Sequence, residues 1–102
     1  MAAAPDRTAL ARAVYDVAHI TGTFRLRSGV TSNEYFDKYL FEADPALLRN
    51  LATAMAPLVP AGTEALAGLE LGGVPLATMP SQVTGLPCRF VRKKAKDRKS
   101  VV

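Results

Sequence analysis

The stretch EALAGLELGGVPLATMPSQVTGLPCRFV, residues 64–91, decides how the chain is organised. EALAGLEL is a short, mostly apolar run of the kind buried in a parallel sheet. Gly72 and Gly73 break it, VPLATMPSQVTG then reads as a helix capped by Gly85, and PCRFV is a second apolar strand. Strand, Gly-Gly turn, helix, strand is a βαβ unit, which implies a right-handed crossover and parallel pairing. Pro80 falls past the first turn of that helix, where its missing N–H and its ring should kink or shorten it.

Working outward toward the amino terminus, ADPALLRNLATAMAPLVPAG opens with Asp44 as N-cap and Pro45 at the first helical position. Leu47, Leu51, Met55 and Leu58 form its expected buried stripe, and Pro57, Pro60 and Gly62 should end the helix near residues 56–59. Before it, Phe24 and Leu26 alternate with Arg25 and Arg27, Ser28-Gly29 reads as a turn, and Glu34–Asp37 as a second extended piece, which together predict an irregular hairpin. PDRTALARAVYDVAHITG predicts an amphipathic helix with Asp6 as N-cap, Gly22 as terminator, and Leu10, Val14, Val17 and Ala18 on one face. His19, near the end of that helix, reads as structural rather than catalytic.

The 102 residues are about one small domain, and 49% hydrophobic with 22% charged residues describes a globular chain rather than a disordered one. The net charge of +4 hides an asymmetry, because seven of the thirteen basic residues and one acid lie in RFVRKKAKDRKSVV, residues 89–102. Cations so close together repel unless an anion joins them, so that segment points to an anionic ligand or surface, or else is simply a solvated, frayed terminus. Cys88 is the only cysteine, which excludes an internal disulfide or a cysteine metal site and reads as a buried, inert thiol. MAAAPDRTAL lacks the pattern of a signal peptide and no apolar run approaches the ~20 residues of a membrane span. The expectation is a cytoplasmic protein with no membrane partner.

Three stretches can carry chemistry. Leu71-Gly72-Gly73 sits where a strand meets a helix, so its backbone can approach a ligand and the helix can offer free N–H groups to a phosphate; a simple tight turn is the plainer alternative. FRLRSG followed by NEYFDKY sets two arginines near Tyr35 and Phe36, a combination able to clamp a flat anion, or else simply a hairpin with core aromatics. RKKAKD, residues 92–97, gathers four cations that a pyrophosphate or a nucleic-acid backbone would both suit.

In this order and spacing, FRLRSGVTSNEYFDKY, LAGLELGGVPLAT and TGLPCRFVRKKAKD resemble the N-terminal half of bacterial orotate phosphoribosyltransferases, from about Gly22 to Asp97. The resemblance implies an α/β chain with part of the type I phosphoribosyltransferase fold: an N-terminal helix and hood hairpin (1–43), a partial α/β core with one βαβ unit (44–91), and a basic catalytic-loop tail (92–102). It implies transfer of 5-phosphoribose from phosphoribosyl pyrophosphate (PRPP) to orotate, with Mg2+ held mainly by the substrate and no metal ligands among the residues singled out. Arg27 takes the place of a basic hood residue, commonly lysine, near the substrates. Tyr35 and Phe36 match the aromatic pair lining the orotate site. Leu71 and Gly72 match the loop that touches pyrophosphate, and several relatives carry lysine where Gly72 stands. Arg92, Lys93 and Lys96 match the mobile loop that reaches into the other subunit of a homodimer, with Lys96 as the main electrostatic stabiliser of the leaving pyrophosphate.

The family's acidic pair and Thr/Gly-rich turn, which hold the ribose hydroxyls and 5-phosphate, have no counterpart in these 102 residues, and Arg98 and Lys99 depart from the family's His or Tyr followed by Gly. The resemblance therefore implies a truncated domain, inactive by itself. A second reading is a non-catalytic partner that pairs with an intact homologue and lends its loop in trans. A third is a small nucleic-acid binder, which the net-negative body and the single aromatic of the tail, Phe90, argue against.

Overall fold

The computed structural model describes residues 6–94. Its elements follow in the order α1 (Arg7–Ala18), β1 (His19–Arg25), β2 (Thr31–Phe36), α2 (Lys38–Glu42), α3 (Pro45–Met55), a 3-10 turn (Ala56–Leu58), β3 (Leu66–Leu69), α4 (Val74–Thr84) and β4 (Cys88–Val91). Two sheets result, an antiparallel β1–β2 hairpin and a parallel β3–β4 pair.

The βαβ unit is present as expected. Leu66, Ala67, Gly68 and Leu69 pair in parallel with Cys88, Arg89, Phe90 and Val91, and α4 makes the crossover. Its close packing depends on two glycines. A Cβ on Gly73 would lie 2.7 Å from the Leu69 nitrogen, and one on Gly68 would lie 2.9 Å from Cβ of Ala77 and collide with the Gly73 carbonyl. Real side-chain carbons do not approach so closely, so β3 and the start of α4 touch backbone to backbone because both positions are glycine.

Pro80 neither ends nor shortens α4, which continues through Thr84. The turns around it are held by other bonds: Thr78 Oγ1 donates to the Val74 carbonyl at 2.7 Å, Thr84 Oγ1 to Pro80 at 2.8 Å, and Ser81 Oγ to Leu86 at 2.6 Å. Gly85, at φ 78°, closes the helix in the left-handed conformation with its N–H on the Ser81 carbonyl. The helix tolerates the lost proline N–H because its C-terminal end is tied independently.

Upstream, α1 ends earlier than the sequence pattern implies. His19 turns extended (φ −80°, ψ 122°) and opens β1 opposite Phe36, so Gly22 lies inside the strand, at the irregularity between Thr21 and Phe24, rather than ending the helix. Cross-strand pairing wins over one more helical turn. His19 is indeed structural in its contacts: its ring stacks on Tyr15 with centroids 4.5 Å apart, and Nε2 lies 2.9 Å from Glu34 Oε1 across the hairpin. The hairpin turn is where Ser28-Gly29 puts it, with Gly29 at φ 91° and its N–H on the Leu26 carbonyl.

The core is small. Leu10 and Ala18 of α1, Phe41 of α2 and Leu47 of α3 are buried together, with Val14, Leu51 and Leu76 packed around them. Val17 and Leu58, both expected in the stripes, are exposed instead, since no described element covers them. Asp44 caps α3 as its position demands, accepting from Leu47 N–H at 3.1 Å. Cys88 is half-buried rather than enclosed, because β4 is an edge of a two-stranded sheet. Gly68→Ala should cost about 1–3 kcal/mol through overpacking against α4, read as a lower urea midpoint with an unchanged slope; an unchanged midpoint would contradict the close approach of β3 and α4.

Candidate functional site

At the carboxyl ends of β3 and β4 the chain brings its separate motifs together. In open parallel sheets this is the edge where ligands bind, because strand ends and helix N-termini meet there. β3 runs out into Glu70, Leu71, Gly72 and Gly73, and β4 into Arg92, Lys93 and Lys94. The two exits are linked: Glu70 N–H donates to the Val91 carbonyl at 2.8 Å, and Arg92 Nε stands 3.5 Å from Glu70 Oε1. The Glu70–Leu71 peptide is cis. Gly73 N–H returns to the Leu69 carbonyl at 2.8 Å and Val74 N–H to Leu71 at 3.1 Å, which folds the turn tightly against the start of α4.

A residue that sequence reasoning did not single out completes this edge. Lys38, the first residue of α2, donates from Nζ to the Gly72 carbonyl. Its position is set by the chain just before it. Asp37 N–H continues the hairpin ladder to the Ala18 carbonyl at 2.9 Å, and the Asp37 side chain caps α2 by accepting from Tyr39 N–H at 3.0 Å. One turn further, Glu42 faces Lys38 with Oε2 3.6 Å from Nζ, its side chain only 3% exposed. Neither Glu42 oxygen has a hydrogen-bond partner among the described residues. A carboxylate buried to that degree without a balancing charge is strongly unfavourable, so the lysine is what makes Glu42 tolerable. The only sequence signal was DKYLFE itself, an Asp cap followed by a Lys/Glu pair at i, i+4.

Three of the expected site residues, Arg27, Tyr35 and Phe36, lie on the hairpin instead. Arg27 is in the hairpin turn, and the hairpin does not pack extensively on α4 or the β3–β4 sheet. Tyr35 and Phe36, neighbours on β2, point to opposite faces as strand residues must. Tyr35 rests against Phe24 with centroids 5.5 Å apart, whereas Phe36 tilts toward Phe41 at 6.2 Å. Leu71, Gly72, Arg92 and Lys93 share the sheet edge; Lys96 lies outside the described residues. An apolar hollow of about 340 Å³ between α3, β3 and α4 opens near Leu66 and Pro80, toward the opposite end of β3, and carries none of these charged groups. Among the described residues no three His, Cys, Asp or Glu side chains are placed to hold a metal ion, and Glu70, the one acid at the edge, faces Arg92.

An orotate phosphoribosyltransferase of a Nocardioides species is 59% identical over 88 residues, covering 86% of this chain and 49% of that protein. In sequence and fold the chain resembles part of an orotate phosphoribosyltransferase. The enzyme of that name from Methanocella arvoryzae is 47% identical over 75 residues, covering 74% of this chain and 43% of that one. In structure, a Mycobacterium tuberculosis orotate phosphoribosyltransferase in complex with inorganic phosphate superposes with a TM-score of 0.75 at 28% identity, over 87% of this chain and 55% of that one. No protein-family model matches. The chain thus spans about half the length of the curated relatives it matches. The α/β fold, with a small parallel and a small antiparallel sheet, matches about half of the type I phosphoribosyltransferase structures it superposes on.

The Lys38–Glu42 pair makes a direct prediction. Lys38→Met should destabilise the chain by about 1–3 kcal/mol by stranding a buried carboxylate, while Lys38→Met/Glu42→Met should recover most of the loss. Chemical denaturation of the two variants checks it, and a double variant no more stable than Lys38→Met would contradict it.

Proposed function

We propose that this chain carries the pyrophosphate-facing part of an orotate phosphoribosyltransferase site, serving the transfer of 5-phosphoribose from PRPP to orotate to give orotidine monophosphate and pyrophosphate. The observation that carries the proposal is the shared edge: the Leu71–Gly73 turn, the start of α4 and Arg92–Lys93 meet at the carboxyl ends of two paired parallel strands. The names and fold of the relatives support the same reading.

In this proposal the backbone of Leu71 and Gly72 receives the pyrophosphate of PRPP, and Arg92 and Lys93 supply positive charge beside it. As the bond from the anomeric carbon to pyrophosphate breaks, negative charge grows on the leaving oxygens. Cations held at that place lower the energy of the transition state more than that of the bound substrate. Lys96, further along the same segment, is assigned the largest share as an electrostatic stabiliser rather than a proton donor. Tyr35 or Phe36, on opposite faces of β2, offers an aromatic face for the orotate ring, and Arg27 a guanidinium for an anionic group of either substrate. Mg2+ is proposed to enter with the phosphate oxygens of the substrate, and none of these roles depends on it.

The proposal includes a homodimer in which residues 92–97 serve the neighbouring site, and it places the reaction in the cytoplasm; among the described residues no helix is long and apolar enough to cross a membrane. These 102 residues contain no recognisable counterpart of the family's ribose-phosphate turn, so the polypeptide 1–102 alone is proposed to be inactive in turnover. A second reading, pairing with an intact homologue, is favoured by the exposure of Leu69, Phe90 and Val91 on the β3–β4 sheet; a mixed dimer by native mass measurement would support it.

Calorimetric titration of the folded chain with magnesium-PRPP, at low and at physiological salt, tests the main proposal. Saturable binding that weakens at least about tenfold in Arg92→Ala/Lys93→Ala is expected, from loss of two charge-assisted contacts. Binding that disappears at physiological salt, or that ignores the double substitution, would refute it.

A further inference from the structure

Lys38 is not accounted for by any of the roles above, and its surroundings are unusual for a surface lysine. Its Nζ reaches across 34 residues of sequence to the Gly72 carbonyl. It stands there because position 72 has no side chain: a Cβ on Gly72 would run into Nζ and lie 2.6 Å from Cε of Lys38. Beside it lies Glu42, its side chain only 3% exposed and neither carboxylate oxygen hydrogen-bonded among the described residues. The Tyr39 ring flanks the ammonium at 5.8 Å.

These contacts fix an ammonium at the turn but do not use it up. An ammonium has three N–H donors. One goes to Gly72, and the 3.6 Å separation from Glu42 is an ion pair longer than a hydrogen bond. The Lys38 side chain keeps 38% of its surface open to solvent. The Gly72 carbonyl would also repel an anion approaching the turn, and the lysine covers it. A carbonyl masked by a cation, with donors to spare and a glycine that leaves room, is an arrangement for receiving an anion.

We propose that Lys38 is a pyrophosphate-binding residue of this site, delivered by α2 to the Leu71–Gly73 turn, with Glu42 as the residue that positions it. The ligand class is a diphosphate, either the pyrophosphate group of PRPP or free inorganic pyrophosphate. This rests on the reading of the sheet edge as a PRPP site. It adds that the cation at Gly72 comes from α2, so α2 and the βαβ unit act as one site rather than as neighbours.

The test is calorimetric titration of the 102-residue chain with magnesium and inorganic pyrophosphate, repeated with magnesium-PRPP. The variant to compare is Lys38→Met/Glu42→Met, which removes both charges and strands neither. It should bind pyrophosphate at least about tenfold more weakly, and adding Gly72→Lys should restore most of the affinity by placing an ammonium where Lys38 had held one. A lysine that only staples the turn would give a loss that Gly72→Lys does not recover, and that result overturns the proposal. Equal affinity of the wild-type chain and Lys38→Met/Glu42→Met overturns it too, while leaving the PRPP reading intact. No binding by the wild-type chain removes both. Should the charge-free variant not fold by circular dichroism, Gly72→Ala displaces the ammonium without deleting it; about a tenfold loss of affinity is expected, and unchanged affinity overturns the assignment.

Discussion

Everything at the charged edge depends on how closely β3 and α4 approach each other. Gly68 and Gly73 allow backbone to meet backbone, with the Gly73 N–H on the Leu69 carbonyl and no room for a side chain between them. That contact sets where α4 begins, and so where the Leu71–Gly73 turn lies. Parallel pairing with β4 then carries Arg92 to the same edge, beside Glu70. With a larger residue at either glycine, α4 would move away and the two exits would separate.

The second link is electrostatic and comes from outside the βαβ unit. α2 is only five residues long and would be marginal by itself. It is held by the Asp37 cap, by Phe41 in the core and by the Lys38–Glu42 pair, and Lys38 ties it to Gly72. A small core of four buried side chains could not by itself hold a precise cation position. A buried carboxylate can, because moving the lysine away leaves Glu42 uncompensated. Energy unfavourable to the fold is thereby converted into a fixed charge at a turn, which is how sites for anions are commonly preorganised.

The βαβ unit was legible because its signals are local: two apolar runs, a Gly-Gly break, a helix of the right length and a closing Gly85. The caps at Asp6 and Asp44 were legible for the same reason, since a cap is a short-range hydrogen bond. What the sequence hid was settled at long range. Gly22 looked like a helix end, yet His19 had already left the helix to pair with Phe36, a partner 17 residues away by number. Pro80 looked like a break, yet three side-chain hydrogen bonds and the Gly85 cap keep α4 together. In the site, Leu71, Gly72, Arg92 and Lys93 were readable as candidates and share one edge. Tyr35 and Phe36 were readable as a pair, but strand geometry sends them to opposite faces. Lys38 was missed because its importance lies in a contact with residue 72, which no local pattern encodes.

The most direct measurement is a residue-resolved one: two-dimensional 15N–1H spectra of the chain during titration with magnesium pyrophosphate at physiological salt. The largest saturable shifts are expected on the amides of Leu71, Gly72, Gly73 and Arg92, with Lys38 and Tyr39 moving in step. Arg7, Arg12 and Arg49, equally basic but remote in the fold, should stay still. Shifts spread over all basic residues, or confined to the segment beyond Arg92, would contradict a built pyrophosphate site at the end of β3.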